Sequence, residues 1–478
     1  MATQGRWGVL FVVLSGQILT ALSHRIVNVA SPTLTSALAT DLSGIVWIMN
    51  AYQIVVTGLL LVFGRLADLI GRGRTYVLGL IVFSVGSGMC AAAGSLPQIV
   101  AFRIVQGMGG SMMSAAGFAI VAEFFPESQR GRVMGGMLMA YQVGALLGPS
   151  LGGFLVEQLP WQSIFLVNLV VGVPGIVLGV THFGLRGSAP RSKVRVDYVG
   201  ATLLLVAMTS VTLGLEGFSD PGGTFPAVPV LVVGAASVVL FLWVERRLKA
   251  PSLDMALFRK ATFSLGVLSA LLINIVVLMV HFLMPFYFEG VLHYPPSLVG
   301  LLLLIGPAFS MVAGLVGGSL ADRFGAVQVS VIGAATLTLG MVTGLRLAEG
   351  SPWYDGVLML VLLGVGIGFY NPSNNSAVIS SAPRERMGIA SATMQMVRNI
   401  GWSLGSPVGS AVFLGSFQSS SGLVIRDFQR LSQYPSFFVS SLHAAIWAGL
   451  LLVGVAAVLV AIRTGRGARS EGVLGRRS

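Results

Sequence analysis

The fold is decided by a short polar segment between two long apolar runs, Gly64-Arg-Leu-Ala-Asp68-Leu-Ile-Gly71-Arg72-Gly-Arg74. A near copy, Gly318-Ser-Leu-Ala-Asp322-Arg-Phe-Gly325, follows at an offset of 254 residues. Further along each copy, a second set of positions repeats at an offset of 257, for example Gly107 with Gly364. A spacing sustained in this way predicts two structurally related halves within one chain.

The composition places these halves in a membrane. Of the 478 residues, 55% are hydrophobic and only 10% are charged, whereas a soluble protein carries about 25% charged residues. A helix needs about 20 apolar residues to cross a bilayer, and lipid cannot satisfy exposed backbone groups, so the spans must be helical. We therefore predict an all-α membrane protein with fourteen spans, which begin near Trp7, Gly44, Arg74, Pro97, Arg132, Trp161, Asp197, Pro226, Thr262, Ser297, Ala326, Trp353, Met387 and Ser440.

The positive charges predict the orientation. With the N-terminus in the cytoplasm, 23 of the 29 Lys and Arg residues fall in cytoplasmic segments, and this bias indicates that both termini are cytoplasmic. The net charge of +12 is then explained by orientation and by contact with anionic lipid, without a nucleic acid partner.

The single Cys90 excludes an internal disulfide. No cleavable signal peptide is expected, because the first apolar run is long and leads directly into the second.

The repeat also predicts the domain organisation. Residues 1–196 form a first six-helix bundle, and residues 250–478 form a second bundle with a basic tail. Residues 197–249 supply two helices that are inserted between the bundles. Repeated halves that rock about a shared central site are the physical basis of alternating access.

These segments resemble the major facilitator superfamily, and specifically its fourteen-span drug–proton antiporter family, over almost the whole chain. The loop from Gly64 to Arg74 is similar to the superfamily's motif between spans two and three, and Arg103-Ile-Val-Gln-Gly107 is similar to its span-four arginine motif. The run from Gly144 to Gly153 is similar to the span-five antiporter motif, which is associated with export. Markers of the fourteen-span branch are Trp161, Phe165, Asn168, Asn371-Pro-Ser-Asn-Asn-Ser-Ala377 and Arg398.

The resemblance implies two sets of gating residues. The first set is the loop motif and its partial copy, Gly64, Asp68, Gly71, Arg72 and Asp322. In it, Asp68 would latch the two halves in the outward-facing state by capping a helix N-terminus, and the alternative is a solvated loop charge. The second set is the antiporter motif, Gly144, Gly148, Pro149, Gly152 and Gly153. Its glycines permit close helix approach and its proline bends the helix, so the alternatives are gating and plain packing.

Span one departs from the family. The family sequence there is Leu-Asp-x-Thr-Ile-Val-Asn-Val-Ala-x-Pro, whereas this chain has Ser23 in place of the aspartate and Arg25 where a neutral residue is usual. All 17 acidic residues fall in loops or at span ends. The ionisable residues predicted at mid-membrane are instead Arg25, Arg103 and Arg398, with His24 and His281.

Intramembrane charges are costly, at about 2.5–3.5 kcal/mol or more, so they normally face a cavity or a partner. We therefore predict a positive cavity that favours an anionic or neutral amphipathic substrate, since Arg grips carboxylate, sulfonate or phosphate by paired hydrogen bonds. In the alternative, Arg103 and Arg398 only bond backbone carbonyls, and Asn374 and Asn375 only bridge helices. The candidate cavity residues are His24, Arg25, Asn28, Arg103, Gln142, Asn374, Asn375 and Arg398.

The function indicated is efflux by alternating access from the cytoplasmic (inner) membrane, with a small-molecule substrate, proton coupling and a monomeric chain, as the resemblance implies. His24 or His281 would carry the proton because imidazole titrates near neutral pH, and Glu123 or Asp68 are alternatives. The other functions considered are a lipid or metabolite transporter without proton coupling, and a non-transporting sensor on the same fold. No enzyme, cofactor or metal site is expected, because no nucleophile–base constellation, zinc spacing or phosphate loop is found.

Overall fold

A computed structural model describes residues 3–183, 198–219, 226–247, 253–383, 386–423 and 428–474. The first half of the chain contributes α1 (Thr3–Val29), α2 (Ser31–Ala37), α3 (Leu42–Ile70), α4 (Arg72–Ala91), α5 (Leu96–Phe124), α6 (Glu127–Gln158) and α7 (Ser163–Phe183). Two helices follow, α8 (Tyr198–Ser219) and α9 (Ala227–Glu245). The second half contributes a 3₁₀ turn (Leu257–Arg259), α10 (Ala261–Gly290), α11 (Pro296–Phe324), α12 (Ala326–Gly344), α13 (Trp353–Ser380), α14 (Met387–Ser421), α15 (Phe428–Leu431) and α16 (Pro435–Leu474).

Fourteen of these helices, counted over the described ranges, are long, and they fall on the fourteen predicted spans. Thirteen are both long and apolar enough to cross a membrane. The remaining one, α14, has 35 residues but carries many Ser and Gly residues and Arg398, which lower its hydropathy. The predicted all-α fold with fourteen transmembrane helices is therefore confirmed. The predicted boundaries between the bundles, at residues 196–197 and 249–250, lie outside the described residues.

The internal repeat extends from sequence into packing. In the first half α1 packs on α6 and α7, α4 on α5 and α7, and α3 on α5. In the second half the equivalent contacts join α10 to α14 and α16, α12 to α13 and α16, and α11 to α13. The loop motif repeats in backbone conformation as well, because Gly71 and Gly325 both have positive φ, +100° and +95°. Glycine adopts this conformation without steric cost, which explains its presence at both positions.

Close helix contacts repeat at the same offsets. A Cβ on Gly109 would lie 2.3 Å from the backbone nitrogen of Phe83, and one on Gly366 would lie 2.8 Å from that of Leu337. These distances are too short for any side chain, so α4–α5 and α12–α13 pack backbone to backbone. Small residues serve the same purpose between membrane helices generally. The glycine-rich composition is thus used for helix packing in both halves.

The two inserted helices lie beside the seam between the halves. Helix α8 packs on α3 of the first half and on α14 of the second half, and α9 packs on α8. The indole nitrogen of Trp47 on α3 donates a 2.8 Å hydrogen bond to the carboxylate of Glu216 on α8. Toward the other end of α8, Leu204 joins Met396 of α14 in one apolar cluster. The insertion therefore contacts both halves on the α3–α14 side.

Candidate functional site

Helix α6 carries the Gly144–Gly153 run and packs closely on α1. A Cβ on Gly144 would lie 2.5 Å from the carbonyl oxygen of Ile18, and one on Gly148 would lie 2.5 Å from the Cβ of Arg25. Gly152 continues this face against Ile26. The equivalent glycine of the second half, Gly405, packs in the same way on Leu278. Arg25 therefore occupies the position that an apolar residue holds in the other half.

The end of the same run contacts the second half. A Cβ on Gly153 would lie 2.2 Å from the carbonyl oxygen of Pro296, and one on Gly300 would lie 2.3 Å from that of Pro149. One turn after Gly153, the carboxylate of Glu157 accepts a 2.9 Å hydrogen bond from the backbone N–H of Ser297. Helices α6 and α11 therefore close the molecule at the end that holds Gln158 and Pro296.

The opposite end carries the loop motif at the junction of α3 and α4. Here Asp68 pairs with Arg72 at 3.3 Å, and Arg72 also approaches Glu123 at 3.9 Å. Arg72 further donates to the carbonyl oxygen of Ala119 at 3.3 Å. The described contacts of Asp68 thus lie within its own half, and Asp322 is exposed.

Arg103 lies inside the first half, where it is 1% exposed. Its Nε donates to the carbonyl oxygen of Ile48 at 2.9 Å, and one Nη donates to Ser23 Oγ at 3.1 Å and to Gln106 Oε1 at 2.5 Å. The guanidinium also lies over the ring of Tyr52, 4.6 Å from its centroid. These contacts match the alternative in which Arg103 supports the fold. They also place Ser23, the residue at the family's aspartate position, directly against a buried cation.

A cluster of aromatic and cationic side chains joins the halves at the middle of the helices. Trp402 of α14 stacks on Tyr141 of α6, with ring centroids 6.2 Å apart and planes 11° apart, and its other neighbour is the His24 ring at 5.6 Å. Arg398 lies one turn before Trp402, with its guanidinium carbon 5.6 Å from the indole ring. Tyr141 interacts electrostatically with both Arg25 and Arg398. We call these five residues the central cluster.

The central cluster has unused hydrogen-bonding capacity. Arg398 bonds Gln395 through one Nη. Its Nε and one Nη of Arg25 are buried atoms without a partner among the described residues. Both arginines, Tyr141 and Trp402 are half-buried rather than enclosed. None of the ion pairs that the structure describes includes Arg25 or Arg398. The central cluster therefore contains two partly accessible cations, and they lie beside two partly accessible aromatic rings.

Other polar side chains around the central cluster add to its unused hydrogen-bonding capacity. His281 of α10 interacts electrostatically with Arg25, and its Nδ1 donates to the carbonyl oxygen of Val277 at 2.7 Å. The Nε2 of His281 and both side-chain atoms of Asn28 are buried without a partner in the described part of the chain. Asn50 of α3 accepts a 3.3 Å hydrogen bond from Ser406 of α14. The site thus combines residues of both halves.

The remaining predicted cavity residues are Asn374, Asn375 and Gln142. Asn374 is buried and bridges helices, because its amide nitrogen donates to the Gly266 carbonyl at 3.0 Å and its oxygen accepts from Arg463 at 2.5 Å. Asn375 and Gln142 are half-buried on α13 and α6. Arg463 resembles an ordinary cytoplasmic-side charge in the sequence, yet it is 3% exposed. It belongs to the packing between α10, α13 and α16.

Sequence reasoning missed Tyr141, Trp402 and Gln395. A single aromatic residue in an apolar span gives no local signal of whether it contacts lipid or the other half. Trp402 lies four residues after Arg398, so the i, i+4 spacing on one helix face was the available hint. For metal sites, the described residues contain no group of three or more His, Cys, Asp or Glu side chains that could hold an ion.

Comparison with known proteins agrees with this architecture. The chain is 28% identical to the riboflavin transporter RibZ of Clostridioides difficile, over 92% of this chain and 94% of that protein. It is 31% identical to the multidrug resistance protein Stp of Mycobacterium tuberculosis, over 83% of this chain and 74% of that protein. A crystal structure of a bacterial homolog of the human lysosomal transporter Spinster, inward-facing and unoccupied, superposes with a TM-score of 0.68 at 16% identity. That match covers 96% of this chain and 97% of the other and supports the fold.

The family assignment rests on a match to a family model. The model of the Major Facilitator Superfamily matches residues 13–406, a range that contains the loop motif, the α6 glycine run and the central cluster. The resemblance seen in the sequence motifs is therefore confirmed, and the relatives include multidrug resistance transporters. This chain is a multi-pass membrane transporter that belongs to the Major Facilitator Superfamily.

Proposed function

We propose that this transporter exports anionic or neutral amphipathic small molecules by alternating access, in exchange for protons. In this proposal both termini lie in the cytoplasm, so that the loop-motif end of the molecule faces the cytoplasm and the end closed by α6 and α11 faces outward. The substrate enters from the cytoplasmic side and binds at the central cluster. Opening of the α6–α11 contact then releases it outside, while Asp68 latches the cytoplasmic end. The monomer is the working unit, because each chain supplies both halves of the site.

The observation that carries this proposal is the pair Arg25 and Arg398. Each guanidinium keeps an unpartnered nitrogen within the described structure, and the two lie on helices of different halves. An uncompensated charge inside the membrane is expensive, and an anionic substrate would supply the missing partner. Guanidinium groups bind planar oxyanions such as carboxylate or sulfonate by two parallel hydrogen bonds. A lipophilic cation would meet repulsion from both arginines and no carboxylate, since Ser23 replaces the family's aspartate.

The relatives support export of small amphipathic compounds in general. Stp is named as a multidrug resistance protein, and this agrees with the α6 glycine run, which the family resemblance associates with export. RibZ is named as a riboflavin transporter, and this favours a second candidate function, the transport of a neutral metabolite without proton coupling. A proton gradient separates the two candidates, because only the exporter would accelerate when the outside of the cytoplasmic membrane is made acidic.

The test uses purified protein in liposomes and two probes of equal skeleton, naphthalene-2-sulfonate and (2-naphthylmethyl)trimethylammonium. We expect uptake of the sulfonate, faster with an imposed proton gradient, and little uptake of the ammonium compound. Arg25→Gln should reduce sulfonate uptake about tenfold or more, because a charge-assisted bidentate contact is lost. Arg259→Gln, which changes an exposed arginine before α10, serves as the matched control. Preferred uptake of the permanent cation would refute the anionic substrate class.

The proposed orientation needs its own experiment. Cys90 is the single native cysteine and is buried, so a Cys90→Ala background allows single reporters. A cysteine at Glu349, in the loop between α12 and α13, should react with an impermeant maleimide from outside intact cells. A cysteine at Asp322, on the opposite end, should react only after the membrane is opened. The reverse pattern would invert the topology and place the loop-motif end outside.

A further inference from the structure

The geometry of the central cluster points to planar aromatic anions as the preferred substrates; this inference rests on the proposed function and narrows it. A substrate has to match two features of the site at once, a stack of flat rings and two guanidinium groups that lack an acidic partner in the described structure. Each feature alone selects a broad class of compounds. Because the rings and the guanidinium groups lie side by side, the site selects compounds that carry both a conjugated ring system and a negative group.

The flat surface is built by the rings of three helices. Trp402 of α14 contacts the rings of Tyr141 on α6 and His24 on α1, and the Tyr141 and Trp402 planes are 11° apart. Their centroid separation of 6.2 Å falls within the range of offset aromatic pairs, about 4.5–7 Å. Both rings are half-buried, so the accessible part of each offers a surface against which a planar molecule could lie. A saturated ring of the same size lacks the π face and gains no stacking.

The charges lie beside the same rings. The Arg398 guanidinium carbon lies over the Trp402 ring, 5.6 Å from its centroid, and Arg25 interacts electrostatically with Tyr141 and with His24. A ring seated on the accessible parts of Trp402 and Tyr141 would thus present its anionic substituent to Arg25 and Arg398. The N–H groups of these two half-buried guanidinium groups would donate to its oxygens. Both halves then hold the substrate, since α1 and α6 belong to one and α14 to the other.

The site also discriminates by charge. Flat cations stack on Trp and Tyr as well as flat anions do, and they gain a further attraction to the ring faces. Beside two guanidinium groups, however, a cation suffers repulsion at short range and displaces no counter-ion. An aliphatic anion would satisfy the arginines but would forgo stacking, which contributes about a two- to tenfold gain in affinity for an aromatic pair. The planar anion is favoured over both.

The experiment measures equilibrium binding to the purified full-length transporter by dialysis, with three probes. They are naphthalene-2-sulfonate, its saturated counterpart decahydronaphthalene-2-sulfonate, and (2-naphthylmethyl)trimethylammonium. We expect the planar sulfonate to bind about threefold or more tightly than the saturated sulfonate, a difference set by the stacking. The cation should bind most weakly.

Substitutions of Trp402 test whether the preference for a planar anion arises at the central cluster. Trp402→Leu should weaken binding of the planar sulfonate about three- to tenfold while leaving the saturated sulfonate unchanged, and Trp402→Phe should keep most of the preference. Trp447→Leu, which changes a tryptophan on α16 that is 58% exposed, is the matched control. Retained elution as a single species in gel filtration shows that each variant is folded.

The outcomes separate this inference from the proposed function. Equal binding of the two sulfonates, or equal losses for both in Trp402→Leu, would overturn the planar preference and leave anion export intact. Tightest binding of the ammonium probe would overturn both. Binding of the planar sulfonate that survives Trp402→Leu but not Arg25→Gln would also reject the stacking step, because the ring would then contribute nothing.

Discussion

Glu157 of the first half caps the N-terminus of a helix in the second half, where its carboxylate accepts a 2.9 Å hydrogen bond from the backbone N–H of Ser297. Ser297 lies in the first turn of α11, which begins at Pro296. An anion at this place interacts favourably with the unpaired N–H groups and with the helix dipole. The contact exists only while α6 and α11 are together, so it stabilises the conformation that is closed at this end.

We expect Glu157→Ala to shift the equilibrium toward the conformation that is open at the α6–α11 end. The effect should be several-fold at most, because the carboxylate is exposed and solvent screens its charge. The measurement is the distribution of distances between spin labels at positions 158 and 298 in a Cys90→Ala background. Glu349→Ala, which changes an exposed carboxylate in a loop at the same end, should leave the distribution unchanged. An unchanged distribution for Glu157→Ala would show that the contact is incidental.

The backbone contact next to Glu157 gives a second prediction. A Cβ on Gly300 would lie 2.3 Å from the carbonyl oxygen of Pro149, and backbone atoms cannot move aside as a side chain can. Gly300→Ala should therefore hinder closure of this end and slow transport strongly, at a cost of about 1–3 kcal/mol for the overpacked state. The check is the transport rate of the reconstituted variant together with the same spin-label distance.

Gly454→Ala is the matched control for Gly300→Ala. Within the described part of the chain, no heavy atom lies within 4 Å of a Cβ placed on Gly454, and this residue is also on a membrane helix. The control should transport at the normal rate. Equal rates for both variants would mean that α6 and α11 separate easily and that their contact does not gate the molecule.

The two histidines near the central cluster are expected to differ. His24 is 7% exposed and its ring lies against Trp402 of the other half, so a change in its charge alters a contact between the halves. His281 is tied by Nδ1 to the Val277 carbonyl of its own helix. We therefore predict that His24→Ala reduces transport driven by a proton gradient more than His281→Ala does. Transport rates are measured from pH 5.5 to 8 for the unsubstituted protein and for both variants. Identical pH profiles for the three proteins would contradict this prediction.

The sequence was informative about the helices and less so about the site. Hydropathy is a local property, so each span start could be predicted, and a fixed repeat offset predicted that Gly71 and Gly325 share one role. Contacts between helices are not local. Trp402 meets Tyr141 only because α14 and α6 approach across the seam, and nothing in either helix records its partner. For the same reason the sequence gives no sign that Arg463 is buried, since its neighbour Asn374 is 89 residues away.

The departure in span one shows how sequence and structure combine. The missing aspartate was visible in the sequence, and its consequence became clear only from the contact between Ser23 and Arg103. Arg103 is buried with neutral partners, at Ser23 Oγ, Gln106 Oε1 and the Ile48 carbonyl oxygen. The positive charge of Arg103 therefore has no acidic counterpart at this contact, and it adds to the field of Arg25 and Arg398.

Restoring the aspartate should reverse the charge preference of the site. In Ser23→Asp the new carboxylate would meet the Arg103 guanidinium, now 3.1 Å from Ser23 Oγ, and would form a buried ion pair in a place already supplied with hydrogen bonds. We expect a folded protein that takes up less naphthalene-2-sulfonate and more (2-naphthylmethyl)trimethylammonium, because one positive charge beside His24 and Arg25 is neutralised. Ser23→Asn has nearly the same shape without the charge and should keep the original preference. The same ratio of the two uptake rates in Ser23→Asp and Ser23→Asn would show that the charge at this position does not act on the substrate. The charge preference of the site would then depend on Arg25 and Arg398 alone.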